Sequence, residues 1–279
     1  MINSITARKR DLFSGAVYKE LILPMAGSEY VIKDVSGIGP VDTSLGSFEN
    51  VGDPGNTTIS GHEGGRNIVL TIGFAPNFAI NSTIALLRQK LYELFMPNSE
   101  IELIFDTAEY PDLTIKGTVE THTPVIFSSD PIVQISIMCD DPYFDSDDPL
   151  TVFSITPGSG SFYNFVLPFD GLVPVGYIFK AKLKAVQTQF VLTKRITLTR
   201  FTRISILHDF LVDDQLTINT VKGSRDASYI RSGGVQGLLG KVSGLVDSKL
   251  TSGNNNFTLT DSSKYSDISI QYKKRYGAL

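Results

Sequence analysis

Cys139 and the aspartates after it form the densest group of chemically capable side chains in the sequence. The stretch CDDPYFDSDDP, residues 139–149, holds the single cysteine together with Asp140, Asp141, Asp145, Asp147 and Asp148. A cysteine nucleophile needs a base within reach, and only His62, His122 and His208 are available, none at a recognisable spacing. Two carboxylates directly after Cys139 would keep its thiol protonated rather than activate it. Val133, Ile135, Ile137 and Cys139 share one parity, so a strand here would turn the cysteine inward as a small, inert core residue. A calcium loop starting at Asp145 would need an oxygen ligand at position 5, Gly at 6 and Glu at 12, but finds Pro149, Leu150 and Thr156. The expectation is a turn-rich, solvated joint with no assigned catalytic, metal or cofactor-binding residue, a weak cation site being the remote alternative.

Two other stretches invite a chemical reading. GDPGNTTISGHEGGRN (52–67) is rich in glycine, yet a phosphate cradle leads from a strand into a helix, whereas these glycines lead into the alternating run IVLTI. An extended hairpin arm over 36–66 is the better account. Lys180, Lys182 and Lys184 alternate with Phe179, Ala181, Leu183 and Ala185, so the lysines project from one strand face. No acid occurs from Gly171 to His208. That face could dock an acidic partner or nucleic acid, or simply be the solvated side of a sandwich.

The elements that must position these residues are mostly strands. Period-two alternation runs through IVLTI (68–72), IELIFD (101–106), LTIKGTV (113–119) and IVQISIMC (132–139), cut by Gly, Pro, Asn and Asp clusters. FKAKLKAV, FVLT, RITL, RISIL, LTINTV, NFTLT and ISIQYKKRY continue it as the short, evenly spaced strands of a sandwich or barrel. One segment has helical spacing: in NSTIALLRQKLYELFMPN, Ile84, Leu87, Leu91, Leu94 and Phe95 make one apolar face. Asn81 or Ser82 is placed to cap a helix of about four turns, with Pro97 and Asn98 to stop it.

The bulk properties set outer limits. The 279 residues are 42% hydrophobic and 19% charged with a net charge of −4, an ordinary globular balance with no whole-chain drive toward nucleic acid or acidic membranes. That length suggests two domains. No apolar run is long enough to span a bilayer, and MINSITARKRDLFSG lacks the apolar core of a secretory signal. A lone cysteine fits a reducing compartment. The absence of tryptophan weakens a lectin reading. The charge shift beside DDPYFDSDDPLTVFSITPGSGSFYN puts a domain boundary near 145–165.

In their order, these elements resemble the distal tail protein (Dit) family of tailed bacteriophages. The resemblance begins in YVIKDVSGIGPVD and passes through a long loop to GHEGGRNIVLTIGF, IALLRQKLYELFMP and IELIF. Its most specific part is IKGTVETHTPVIFSSDPIVQISIMCDDPYF, and it ends in LTINTVKG, NNNFTL and ISIQYKKRYGAL. What the resemblance implies is a mainly β chain of two parts. Residues 1–148 would be a belt domain, a β-sandwich with one α-helix and a long hairpin arm. Residues 149–164 would be a connector and 165–279 a galectin-like β-sandwich. Six copies would close into a homohexameric ring at the virion's tail tip, assembled in the bacterial cytoplasm. The ring would join the tail-tube protein to the tail-tip hub or tail-associated protein, and in some phages the outer domain anchors receptor-binding proteins. DNA would pass through without specific binding, and neither enzymatic activity, cofactor nor membrane insertion is implied.

Pro40, Val41, Phe48, His62 and Arg66, on or beside the arm, are the candidate ring or partner interface, and Lys180, Lys182 and Lys184 the candidate outer docking face. Competing readings are a receptor- or carbohydrate-binding adhesin of a phage tail and a tail-tube protein.

Overall fold

The computed structural model describes residues 2–10, 16–49, 56–77, 82–125, 130–148, 150–156, 158, 160–245 and 248–279, with the backbone alone at 48–49 and 56–62. The chain divides into two compact units: Met1–Asp148 with Tyr276–Leu279, and Pro149–Arg275.

In chain order the first unit contains β1 (Ile2–Arg10), β2 (Val17–Pro24), β3 (Tyr30–Ser36), β4 (Thr43–Glu49), β5 (Asn56–Glu63) and β6 (Arg66–Phe74). The helix α1 (Ile84–Leu94) follows, then β7 (Glu100–Thr107), β8 (Leu113–Pro124), β9 (Ile132–Cys139) and β10 (Phe144–Ser146). The main sheet runs β2-β1-β7-β8-β9-β6-β3, and each neighbouring pair along this path is antiparallel. Only residues 25–29 join β2 to β3, which lie at opposite ends of that path. The sheet must therefore wrap round until its edges approach, enclosing a core between its layers. β4 and β5 leave this sheet and pair only with each other, as an arm.

The helix seals the wrapped sheet. Leu87, Leu91, Leu94 and Phe95 are buried against Ile5, Leu23, Ile72 and Leu103 within one apolar cluster. The Tyr30 hydroxyl donates to the Leu87 carbonyl at 3.0 Å, tying β3 to the helix. The helix is shorter than its apolar spacing suggests, 11 residues, and Thr83 caps it by accepting from the Leu86 amide. Asn98 adopts φ 65°, a left-handed turn that prevents the chain from continuing as a helix.

The second unit contains β11 (Thr151–Ile155), β12 (Phe162–Phe169), β13 (Ile178–Leu183), β14 (Gln187–Arg195), β15 (Phe201–Phe210), β16 (Gln215–Asn219), β17 (Asp226–Arg231), β18 (Gly234–Gly237), β19 (Val242–Ser243), β20 (Gly253–Thr260) and β21 (Tyr265–Tyr272). They form a six-stranded sheet, β11-β21-β13-β16-β17-β18, and a five-stranded sheet, β12-β20-β14-β15-β19. Inward residues of both sheets, among them Phe179, Phe190, Ile206, Ile218, Phe257 and Ile270, share one core. A last short strand, β22 (Arg275–Tyr276), pairs with β10.

Three details depart from the sequence reading. The segment expected as a connector, 149–164, supplies β11 and the start of β12 to the second sandwich. The run ISIQYKKRY is not one strand, because β21 ends at Tyr272 and the chain returns to the first unit from Tyr276. RITL forms a hairpin turn after Arg195 rather than a strand, with the Ile196 and Thr197 amides both donating to the Arg200 carbonyl.

Lys194 is the unexpected core residue of the second unit. Only 4% exposed, it shares its parity with Phe190 and Leu192. Its ammonium donates to the Lys249 carbonyl and lies 3.4 Å from Thr251 Oγ1. Burial beside neutral acceptors pulls its pKa down to about 8. Between about 8 and the ordinary lysine value of 10.5, the unfolded chain binds more protons than the folded one, so this residue makes stability rise with pH. The Lys194→Met variant should lose about 2 kcal/mol of the stability gain seen from pH 7 to pH 10, on the scale of about 1.4 kcal/mol per pKa unit. Urea titrations at the two pH values measure this; parallel behaviour of the two proteins would refute it.

Candidate functional site

The arm is rooted by one buried arginine. Arg66 opens β6 on the same parity as Ile68, Leu70 and Ile72, so it points inward and is 4% exposed. Its guanidinium meets four backbone carbonyls: Pro142 at 2.7 Å, Gly37 at 2.7 Å, Gly39 at 2.8 Å and Gly277 at 2.6 Å. The plane lies over the Phe144 ring, 4.6 Å from its centroid. A guanidinium suits this place because its fork of N–H groups can bind several oxygens at once while its flat face packs on an aromatic ring.

Those four carbonyls come from three separate stretches of chain. Gly37 and Gly39 lead into β4, Pro142 precedes β10, and Gly277 belongs to the returning terminus. The Leu279 amide adds a bond to the Ile38 carbonyl at 3.0 Å. Gly37 has φ +79°, and a Cβ there would stand 1.8 Å from the Asn67 carbonyl oxygen, so no other residue fits without displacing β6. The chemistry of this cluster is mechanical: it fixes where and at what angle the arm leaves the wrapped sheet.

The expected interface residues are distributed around this root. Pro40 is exposed and Val41 half-buried, between Gly39 and the first residue of β4. Phe48 pairs with Thr57, and Ser44 with His62, in the backbone register of the arm. The side chains of Phe48 and His62 lie outside the described residues. Arg66 faces the interior, so its guanidinium acts within the unit rather than on its surface.

Cys139 lies opposite Arg66 across the β6–β9 ladder and is fully buried. Burial pushes its thiol up to about 12. A Cβ at Gly117 would come within 2.7 Å of its sulfur, so β8 packs directly against the thiol. Native protein should therefore show negligible reaction with a thiol reagent at pH 8, and full reaction once unfolded in guanidinium; rapid native labelling would contradict the packing. The following residues are also structural. Phe144 is fully buried, Ser146 is 2% exposed, and Asp145 and Ser146 pair with Thr114 and Leu113 of β8. The aspartates Asp140, Asp145, Asp147 and Asp148 are exposed, as expected of a solvated stretch, while Pro142, Phe144 and Ser146 between them are buried and seam it to the first unit, which ends at Asp148 before the chain returns to it at Tyr276.

His122 and His208 sit apart in packing roles. His122 Nδ1 is 3.2 Å from the Phe95 carbonyl with Tyr92 edge-on, and burial lowers its pKa. His208 packs against Phe210 and Tyr229. Among the described residues, no three His, Cys, Asp or Glu side chains are grouped to hold a metal ion. Among them, no helix is long and apolar enough to cross a membrane.

On the second unit, Lys180 and Lys182 point outward from β13 while Phe179, Ala181 and Leu183 are buried. Lys184 is exposed as well, just beyond the strand. The register shifts between Lys182 and Leu183, and Lys184 lies past the strand end with its amide donating to the Lys264 carbonyl. Lys182 pairs with Asp213 at 3.1 Å, whereas Lys180 makes no ion pair or side-chain hydrogen bond among the described residues.

Known structures share this fold across both units. The crystal structure of the SPP1 Dit (gp 19.1) protein, described as a paradigm of hub adsorption apparatus in Gram-positive infecting phages, matches with a TM-score of 0.66 at 13% identity, over 89% of this chain and 94% of that one. Chains of the phage P2 baseplate in its activated conformation match with TM-scores of 0.53 (with Ca) and 0.52 (with Sr), at 10% and 9% identity, over the full length of both chains in each case. No family model and no curated protein sequence matches the chain. The chain therefore has a Dit-like fold, mainly β, with one regular helix among the described residues.

Proposed function

We propose that this chain is a structural protein of a phage tail tip, in which six copies form a ring joining the tail tube to the tail-tip hub and host-recognition apparatus. The observation that carries the proposal is the likeness to the SPP1 hub protein over nearly the whole of both chains. In this reading the first unit is the ring-forming belt and the second a galectin-like sandwich outside it. The tail-tube protein, the hub or tail-associated protein and, through the outer sandwich, a receptor-binding protein are the partners, and DNA passes without specific contact. The assembly belongs to the virion, is built in the host cytoplasm, and has no enzymatic role.

Two features support head-to-tail contacts between copies. The arm is a two-stranded sheet of its own, with Leu45 64% exposed, and an isolated hairpin gains stability by packing on a neighbour. The β2 edge exposes Val17, Tyr18 at 75% and Ile22 at 57%, an apolar edge of the kind that a second chain covers. Removing residues 43–63 and closing the gap with a short glycine linker should leave folded monomer under conditions where the intact chain assembles, as judged by analytical ultracentrifugation. Undiminished assembly would remove the arm from the interface.

A further inference from the structure

The outer face of the six-stranded sheet carries an arrangement that ring formation does not require. Lys180 lies at the middle of a rank of side chains in register across five strands. Ser154 pairs with Ser269, Ser269 with Lys180, Lys180 with Thr217, and Thr217 with Ser228. Their inward neighbours Ile155, Ile268, Ala181, Leu216 and Ala227 are buried, which fixes all five on the outside. A groove of about 570 Å³, within the size range of small-ligand sites, lies over four members of this rank, Ser154, Ser269, Lys180 and Thr217.

The groove's lining narrows what it can hold. Lys180 supplies an ammonium without an ion-pair partner among the described residues, and the hydroxyls of Ser269 and Thr217 flank it on the adjoining strands. Beside it stand the Gln215 amide and the Asp267 carboxylate, which suit hydroxyl groups as donors and acceptors. Asp267 and the Asp213 paired with Lys182 cancel any extended positive field, so a polyanion such as a nucleic-acid strand or a run of acidic residues is disfavoured. Among the described residues no aromatic ring lines the groove, so a neutral sugar finds no stacking platform on them.

We propose that this groove binds a hydroxyl-rich ligand carrying a single anionic group, a sugar phosphate or an acidic sugar, with the anion on Lys180 and the hydroxyls on Gln215, Asp267 and the serine and threonine rank. The site lies wholly on the second unit and does not depend on ring formation. Calorimetric titration of the full chain with glucose 1-phosphate, glucuronate, glucose and inorganic phosphate tests it. The expected result is saturable binding of at least one of the two sugar anions, at least tenfold tighter than glucose or inorganic phosphate. Preference for glucose 1-phosphate assigns a phosphate to Lys180, and preference for glucuronate a carboxylate; either order supports the site. Lys180→Gln should weaken binding at least tenfold with an unchanged melting temperature, while Lys184→Gln, outside the groove, should leave it intact. Absence of saturable binding to both sugar anions, equal binding of inorganic phosphate, or full affinity in Lys180→Gln would overturn the proposal.

Discussion

Replacing Arg66 with methionine should lower the melting temperature of the first unit by about 10 °C while leaving the second unit's transition in place. The side chain keeps its bulk over Phe144, so the loss is chiefly one of hydrogen bonding. Four backbone carbonyls, from Gly37, Gly39, Pro142 and Gly277, lose their side-chain donors in a site where the arginine itself was only 4% exposed. Each buried acceptor left without a partner costs on the order of 1 kcal/mol or more, so four of them put the expected loss at about 3–5 kcal/mol. For a unit of this size each kcal/mol moves the transition by about 2–4 °C. Arg66→Lys should recover only part of the loss, since an ammonium is a compact point donor that cannot reach four oxygens from three chain segments. Differential scanning calorimetry resolves the two transitions. A shift below about 2 °C in the methionine variant would show that water satisfies the carbonyls and that the clasp is not structural.

The second large effect is expected at Gly37. Gly37→Ala combines a left-handed φ of +79° with a Cβ 1.8 Å from the Asn67 carbonyl oxygen and 2.9 Å from its carbonyl carbon. Backbone strain alone costs about 1 kcal/mol at such a position. The overlap cannot be relieved by a rotamer change, because the opposing atoms are backbone and Asn67 pairs with Met138 in the β6–β9 ladder. Either the 37–39 turn or β6 must move, and both carry oxygen or donor groups of the Arg66 clasp. We expect a loss of about 3 kcal/mol or more, with Arg66 and Gly37 substitutions markedly less than additive because they break one cluster. Gly27→Ala is the control: its φ is similar, +81°, but the added methyl meets nothing within 4 Å, so only the smaller strain cost applies. Equal effects at Gly37 and Gly27 would remove the clash argument. An additive double variant would separate the turn from the clasp.

Much of the fold was legible as alternation. β6, β7, β8 and β9 fall on the four clearest period-two runs, because a strand buried on one face must repeat every second residue. Parity also contained information that composition obscured. Arg66 belongs to the inward set Ile68, Leu70 and Ile72, and Lys194 to the inward set Phe190 and Leu192. Reading a charged residue as exposed regardless of parity placed Arg66 on a surface and passed over Lys194. The seam at 139–148 was obscured for a related reason. Aspartate, proline and serine suggest solvent, yet Phe144 among them is fully buried and sets the stretch against the Phe105 ring at 5.5 Å.

Other features depend on long-range geometry with no local signal. Nothing in YKKRYGAL distinguishes a strand that continues from one that ends at Tyr272 and returns to a different unit. That return is decided by partners more than two hundred residues away in sequence, such as Arg66 with Gly277. The rank around Lys180 is visible only once five strands are in register, since its members are scattered from Ser154 to Ser269.

The chain divides its labour physically: a wrapped sheet carries an arm rooted in the Arg66 clasp, and a second unit forms a sandwich with a polar outer groove. Mass measurement of the purified chain, alone and mixed with the tail-tube protein of the proposed assembly, tests the proposed ring most directly. The account predicts a discrete species of six 30.5 kDa chains, present alone or induced by the tube protein, with a central opening in negative-stain images. A chain that stays monomeric under both conditions, or closes with a different number of copies, would contradict it.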